Sequence, residues 1–153
     1  MNTQPILVLV GDRGRARLFE LDHDEPQMAE LEDLVNPGFR LHERELSGDR
    51  QGRVFNRIRR SRATLGEAHV HKRLGAERFA RTVAGRVLSR CRAGAYARVF
   101  LVAEPEFMGL LRPQLEAGRL KAPLSRISKN LTRHPAAEIR GHLPQDPWKR
   151  RAL

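Results

Sequence analysis

Residues Ile6-Leu7-Val8-Leu9-Val10 form an unbroken β-prone apolar run that stops at Gly11-Asp12. A strand with one solvated face alternates polar and apolar side chains, and this run does not alternate. It therefore reads as a strand buried on both faces, which must lie inside a sheet covered by other elements. Arg98-Val99-Phe100-Leu101-Val102-Ala103 reads as a second buried strand. The first run has no basic flank before it and no small-residue cleavage site after it, and it is too short to cross a bilayer. The expected setting is cytosolic, with no membrane contact.

Between the two strands the pattern changes twice. Gly14 punctuates a short turn, and Arg15 to Leu21 alternates loosely, so the first two runs read as a hairpin. His23 to Gln27 is a polar turn. Met28 to Val35 reads as a third strand, with helix as the alternative, and Asn36-Pro37-Gly38 closes it. From His69 to Arg92 the period becomes helical. Phe79, Val83 and Val87 recur every four residues with Ala76, Ala80, Ala84, Leu88 and Cys91 beside them, while Arg78, Arg81, Arg86 and Arg90 lie around the rest of the cylinder. Gly94 is the stop.

After the second buried strand, Glu104-Pro105 opens a helix through Phe107, Leu110, Leu111 and Leu115, which Gly118 ends. Ile127 and Leu131 are expected in a last strand, and Pro135 to Leu143 in a short final helix. The expected fold is α/β: a single domain over residues 1–144, a mixed β-sheet with helices packed on it, followed by a basic tail at 145–153. The tail carries Trp148-Lys149-Arg150-Arg151 and reads as a disordered end, with an anchor on a polyanion or a protein groove as the alternative.

Residues from about 40 to 68 show no sustained period, and a loop of that length in a compact domain is generally functional or disordered. Its centre, Arg50 to Arg62, holds six arginines and no acid; after Asp49 the next carboxylate is Glu67. Arginine keeps its charge at any physiological pH and presents a planar fork of donors that fits phosphate. Arg50, Arg53, Arg57, Arg59, Arg60 and Arg62 cannot neutralise one another, so a polyphosphate is the expected partner, and nucleic acid is the commonest one. Phe55 is available to stack on a base, and Lys72 and Arg73 extend the cationic set into the helix. The alternative is a solvated, arginine-rich insertion.

The chain as a whole has a formal net charge of +11 over 153 residues. Such a bias suits polyanion binding and does not specify a fold. Arginine in preference to lysine is also what a high-GC genome produces, but that bias does not clear acids from residues 50–66. The hydrophobic share of 40% is enough for a core of its own. The single cysteine, Cys91, excludes a disulfide framework and reads as a small buried hydrophobe.

Catalytic and metal signals are weak. His69 and His71 with Glu67 share a face only on a strand, and this segment reads as a helix start, so no metal is expected. Asp12 follows the first strand and reads as a turn residue whose carboxylate caps local N–H groups; a strand-end catalytic role is the alternative. Glu104 and Glu106 carry the same two readings: strand-end acids that line an active site, or first-turn acids that complement a helix N-terminus without any catalytic role. No nucleophile–base pair, phosphate loop or cofactor motif is legible, so no catalytic residue and no cofactor are expected.

Several stretches resemble a known family. Asp12-Arg13-Gly14-Arg15-Ala16-Arg17-Leu18-Phe19 resembles the opening signature of the bacterial host attachment protein family, and Asp49-Arg50-Gln51-Gly52-Arg53-Val54-Phe55 its second motif. Glu77-Arg78-Phe79-Ala80 is similar to its helix motif, and Leu101 to Arg112 to its strand-to-helix motif. Lys129-Asn130-Leu131-Thr132 and Glu138 to Pro144 are similar to its closing pair. The resemblance runs from about Pro5 to Pro144, and six motifs in the right order make it specific. It implies a proposed role in attachment to host cells. It also implies a fold related to the middle domain of archaeal and eukaryotic peptide-release factors and of the ribosome-rescue factor Pelota.

In release factors a loop before a long helix carries Gly-Gly-Gln. Here the corresponding loop has Gln51-Gly52 without that triplet, so release activity does not carry over. Asn130 stands where members of the host attachment family often carry Asp, so no role needing a carboxylate there carries over either. The expected function is non-catalytic binding of RNA or the ribosome. The alternatives are a hydrolase of nucleic acid or of a peptidyl or acyl ester, and an adhesion-related protein.

Overall fold

The structure, a computed structural model, describes residues 3–39 and 57–150, with side chains described from residue 70 onward in the second segment. The elements are β1 (Ile6–Gly11), β2 (Arg15–Leu21), β3 (Ala29–Val35), α1 (Arg57–Ala93), β4 (Arg98–Ala103), α2 (Pro105–Ala117), β5 (Leu124–Ile127) and α3 (Ala136–His142). They build a single α/β domain around one five-stranded mixed sheet, ordered β3-β2-β1-β4-β5.

The apolar run at the N-terminus becomes the central strand. β1 pairs antiparallel with β2, from Ile6 opposite Leu21 to Gly11 opposite Ala16, and parallel with β4, from Ile6 opposite Arg98 to Gly11 opposite Ala103. Every residue of β1 is buried. Side chains alternate between the faces of a strand, so β1 feeds two separate cores. Leu7 and Leu9, with Leu18 and Leu101, pack against Phe79, Val83 and Val87 of α1 and Phe107, Leu111 and Leu115 of α2. Ile6, Val8 and Val10, with Phe19, Phe100 and Val102, pack against Leu131, and Ile139 and Leu143 from the α3 region. Burying each of these side chains fully is worth about 1.5–3 kcal/mol, which is why the continuous apolar run needs a layer on each side.

Helices α1 and α2 meet where Gly118 follows α2. A Cβ at Gly118 would lie 2.1 Å from Leu88 Cδ1, so the glycine is needed for close approach. The left-handed turn falls one residue later, on Arg119 (φ 56°), and Leu120 N–H closes it onto the Leu115 carbonyl at 3.2 Å.

Three expectations are corrected. Helix α1 begins at Arg57, not near His69, so the later part of the expected 40–68 loop is helical; residues 40–56 lie outside the described residues. The reason is packing. Where side chains are first described, residues 70–74 are all exposed and Ala76 is the first buried one, so these turns face no core and leave no apolar stripe to read. Strand β5 ends at Ile127, and Leu131 lies beyond it in a turn closed by His134 N–H on the Leu131 carbonyl at 3.1 Å. Part of the tail is docked: Trp148 packs on the second core and its Nε1 donates to the Gln4 carbonyl at 3.0 Å. An amphipathic indole gains from such a site, because the ring is covered and the N–H is satisfied.

Candidate functional site

Strands β1, β4 and β5 are parallel, so their carboxyl ends lie along one edge of the sheet. In open α/β sheets that edge is where ligands bind. Here each strand delivers a polar segment to it: Asp12 and Arg13 after β1, Glu104 and Glu106 after β4, Asn130 and Thr132 after β5.

The three segments are joined by hydrogen bonds. Asp12 Oδ1 accepts from the Gly14 and Arg15 backbone N–H groups, both at 2.8 Å, which is the turn expected from the sequence. Its other oxygen accepts from the Thr132 hydroxyl at 2.8 Å and lies 3.4 Å from Asn130 Nδ2. Asn130 Nδ2 donates to Glu104 Oε1 at 2.7 Å. Arg13 forms an ion pair with Glu106. Arg15 binds both oxygens of Asp33, at 2.8 and 2.6 Å, and this hydrogen bonding raises its pKa above the ordinary guanidinium value. Arg17, nearly buried, pairs with Glu30 and donates to the Thr132 and His134 carbonyls.

This network ties loops together. Thr132 is the one hydroxyl held by a carboxylate there, and at 2% exposure it is out of reach of a substrate. Among the described residues, no group of three or more His, Cys, Asp or Glu side chains is placed to hold a metal ion. No described helix is long and apolar enough to cross a membrane.

The second feature of this edge is α1. The helix carries the chain back to the start of β4, antiparallel to β1 and β4, so its N-terminal end lies toward the carboxyl edge. Phe79 marks the level. Its ring centroid is 6.0 Å from that of Phe107, whose Cε1 lies 3.0 Å from where a Cβ on Gly11 would stand. Gly11 is the last residue of β1. At 1.5 Å per residue, the stretch from Arg57 to Gly75 extends about 28 Å beyond the level of the sheet.

The expected nucleic-acid residues fall on this extension or just before it. Arg57, Arg59, Arg60 and Arg62 occupy the first turns of α1, and Lys72 and Arg73 are exposed further along it. Arg50, Arg53 and Phe55 lie outside the described residues. No acid stands in the first turn of α1. Arginines there lie at the positive end of the helix dipole, an unfavourable position of about 0.3–1 kcal/mol per charge that a bound anion would offset. Further along, Arg73 pairs with Glu77 at 3.6 Å, and Arg86 and Arg90 pair with Glu32 at 3.4 and 2.9 Å. Lys72, Arg78 and Arg81 have no carboxylate partner among the described residues.

The hydrogen-bonded trio of Asp12, Asn130 and Glu104 was not legible from residue types alone. For Asp12 and Glu104 the signal was positional, since each stands just past an apolar strand, whereas Asn130 fell within the expected last strand; all three lie within stretches that carried the family resemblance.

A model of a family described as "Protein required for attachment to host cells" matches residues 7–143. The chain belongs to this family. The match takes in all of the sheet but Ile6, helices α1, α2 and α3, and the three segments at the carboxyl edge. No curated protein matches the sequence.

Proposed function

We propose that this protein binds RNA, alone or on the ribosome, by laying phosphates along the N-terminal part of α1. The observation that carries this reading is the set Arg57, Arg59, Arg60 and Arg62 in the opening turns of a helix with no acid in its first turn. A helix start and an arginine cluster each favour a phosphate, and here they coincide. Lys72 and Arg73 continue the cationic track, and Arg50, Arg53 and Phe55 precede it in sequence. The fold relation to release-factor middle domains that the family resemblance implies would suit the same partner class. The Asp12 network joins the loops at the carboxyl edge and needs no catalytic step.

The test is recovery of tagged protein from native lysate with and without nuclease, followed by titration of purified protein with the recovered RNA. Co-purifying RNA that re-binds in vitro, and is released by salt, supports the reading. A protein free of RNA at low salt overturns it.

The family description favours a second reading, a role at the cell surface in attachment. Fractionation separates the two, since a surface role requires the protein outside the cytosol.

A further inference from the structure

We infer that the free edge of β5 is a docking strand for an extended acidic peptide segment of a partner protein. Among the described residues, strand β5 pairs with β4 alone and forms the sheet's outer edge. In the parallel register Val99–Leu124 and Leu101–Arg126, with Val99 N–H on the Pro123 carbonyl at 2.9 Å, Ser125 turns its main-chain groups toward β4. Leu124 and Arg126 turn theirs outward. These are the donors and acceptors that an added strand takes up.

The surroundings of the edge suit such a strand. A cleft of about 900 Å³ lies on the α3 face of β5, floored by apolar residues that include Ile127 and Leu143. A second, of about 460 Å³, lies on the α2 face beside Leu115 and Leu120. Alternate side chains of a strand point to opposite faces, so a peptide added to β5 would send successive side chains into the two clefts.

The rims select charge. Arg98 and Arg150 line the first cleft and Arg119 and Arg126 the second, and none of the four has a carboxylate partner among the described residues. The acids present, Asp146 and Glu116, are taken up by Lys149 at 3.4 Å and Arg112 at 3.0 Å. A peptide interleaving acidic and apolar residues matches this edge. Single-stranded RNA matches it less well, because Phe100 is 2% exposed and offers no stacking face.

The test uses the full chain, isotope-labelled, and a blocked peptide of about eight residues alternating Glu and Val. Addition of the peptide should shift the amide signals of Leu124 and Arg126 and slow their exchange with solvent. Arg126→Ala, which removes the charged side chain but keeps the outward backbone N–H, should weaken binding a few-fold. Arg126→Pro also removes the outward N–H, at an edge position where proline is tolerated, and should weaken binding about tenfold further. The β4–β5 ladder signals of Arg126→Pro report whether the fold is kept. If that variant unfolds, the amide shifts in the parent chain decide. The inference fails if the peptide moves signals elsewhere, or if Arg126→Pro folds and binds as well as Arg126→Ala. It also fails if an oligouridylate shifts the β5 edge signals at lower concentration than the peptide.

Discussion

The Asn130 side-chain amide donates to Glu104 Oε1 at 2.7 Å, and the same nitrogen lies 3.4 Å from Asp12 Oδ2. One neutral amide thus stands between two carboxylates at the ends of β1 and β4. Asn130→Asp would place a third negative charge in this cluster. Because the site is exposed, the expected cost is modest, about 1 kcal/mol at neutral pH. The repulsion needs the carboxyls ionised, so the penalty is full at neutral pH and fades as pH falls through the ordinary carboxylate range, where they take up protons. Urea unfolding of parent and variant at neutral and acidic pH reads this directly, and equal stability at both would show that the amide is not bridging.

Tyr96 makes the second prediction. Burial, then its hydrogen bond to Glu20 at 2.8 Å, pushes its hydroxyl pKa up to about 12 from 10. The fold holds the phenol proton more tightly than the unfolded chain does. Stability is unaffected below pH 10 and is lost as pH rises from 10 toward 12. This is the only tyrosine in the chain, so tyrosinate absorbance follows the group without ambiguity. The expected midpoint lies well above that of the unfolded protein, and Tyr96→Phe should flatten the loss of stability in this window.

Arg119 sits at φ 56°, a conformation that costs a residue with a Cβ but not glycine. Arg119→Gly should raise stability by about 0.5–1 kcal/mol, after the greater entropy glycine gives the unfolded chain. Gly118→Ala should do the opposite, because its Cβ meets Leu88. Thermal melts of the two variants, moving in opposite directions, would separate the two backbone requirements of this turn.

For RNA binding, the relevant variant is Arg57, Arg59, Arg60 and Arg62 all changed to Gln, since glutamine keeps helix propensity close to that of arginine. Affinity for single-stranded RNA should fall sharply. The slope of log K against log salt should become shallower by about 3, at about 0.7 per phosphate contact. Thermal stability should hold or rise as like charges are removed. Unchanged affinity would move the phosphate site elsewhere.

The sheet was legible because its strands are extreme. β1 and β4 are apolar on both faces, and no other arrangement covers them. The buried stretch of α1 was legible for the same reason, since Phe79, Val83 and Val87 face a core. The N-terminal extension of α1 was not: exposed positions such as His71 and Lys72 obey no apolar period, so only propensity spoke for helix there. Leu131 misled because its burial comes from a turn that packs under the sheet, not from a ladder. The link between Asp12, Asn130 and Glu104 spans more than a hundred residues of sequence, and only the parallel register of β1, β4 and β5 brings it together.

That register also has a consequence for biosynthesis. β1 is made first, yet its parallel neighbour β4 begins only at Arg98, after the whole of α1. As the nascent chain emerges, the β1–β2–β3 meander can pair locally, but it exposes one bare, wholly apolar flank of β1 until Ala103 clears the exit tunnel. At about 5–20 residues per second that interval lasts several seconds, long enough for edge-to-edge association between neighbouring nascent chains. Successful folding of this protein therefore turns on how long β1 waits, and synonymous changes that slow translation across α1 are the ones that should lower its soluble yield.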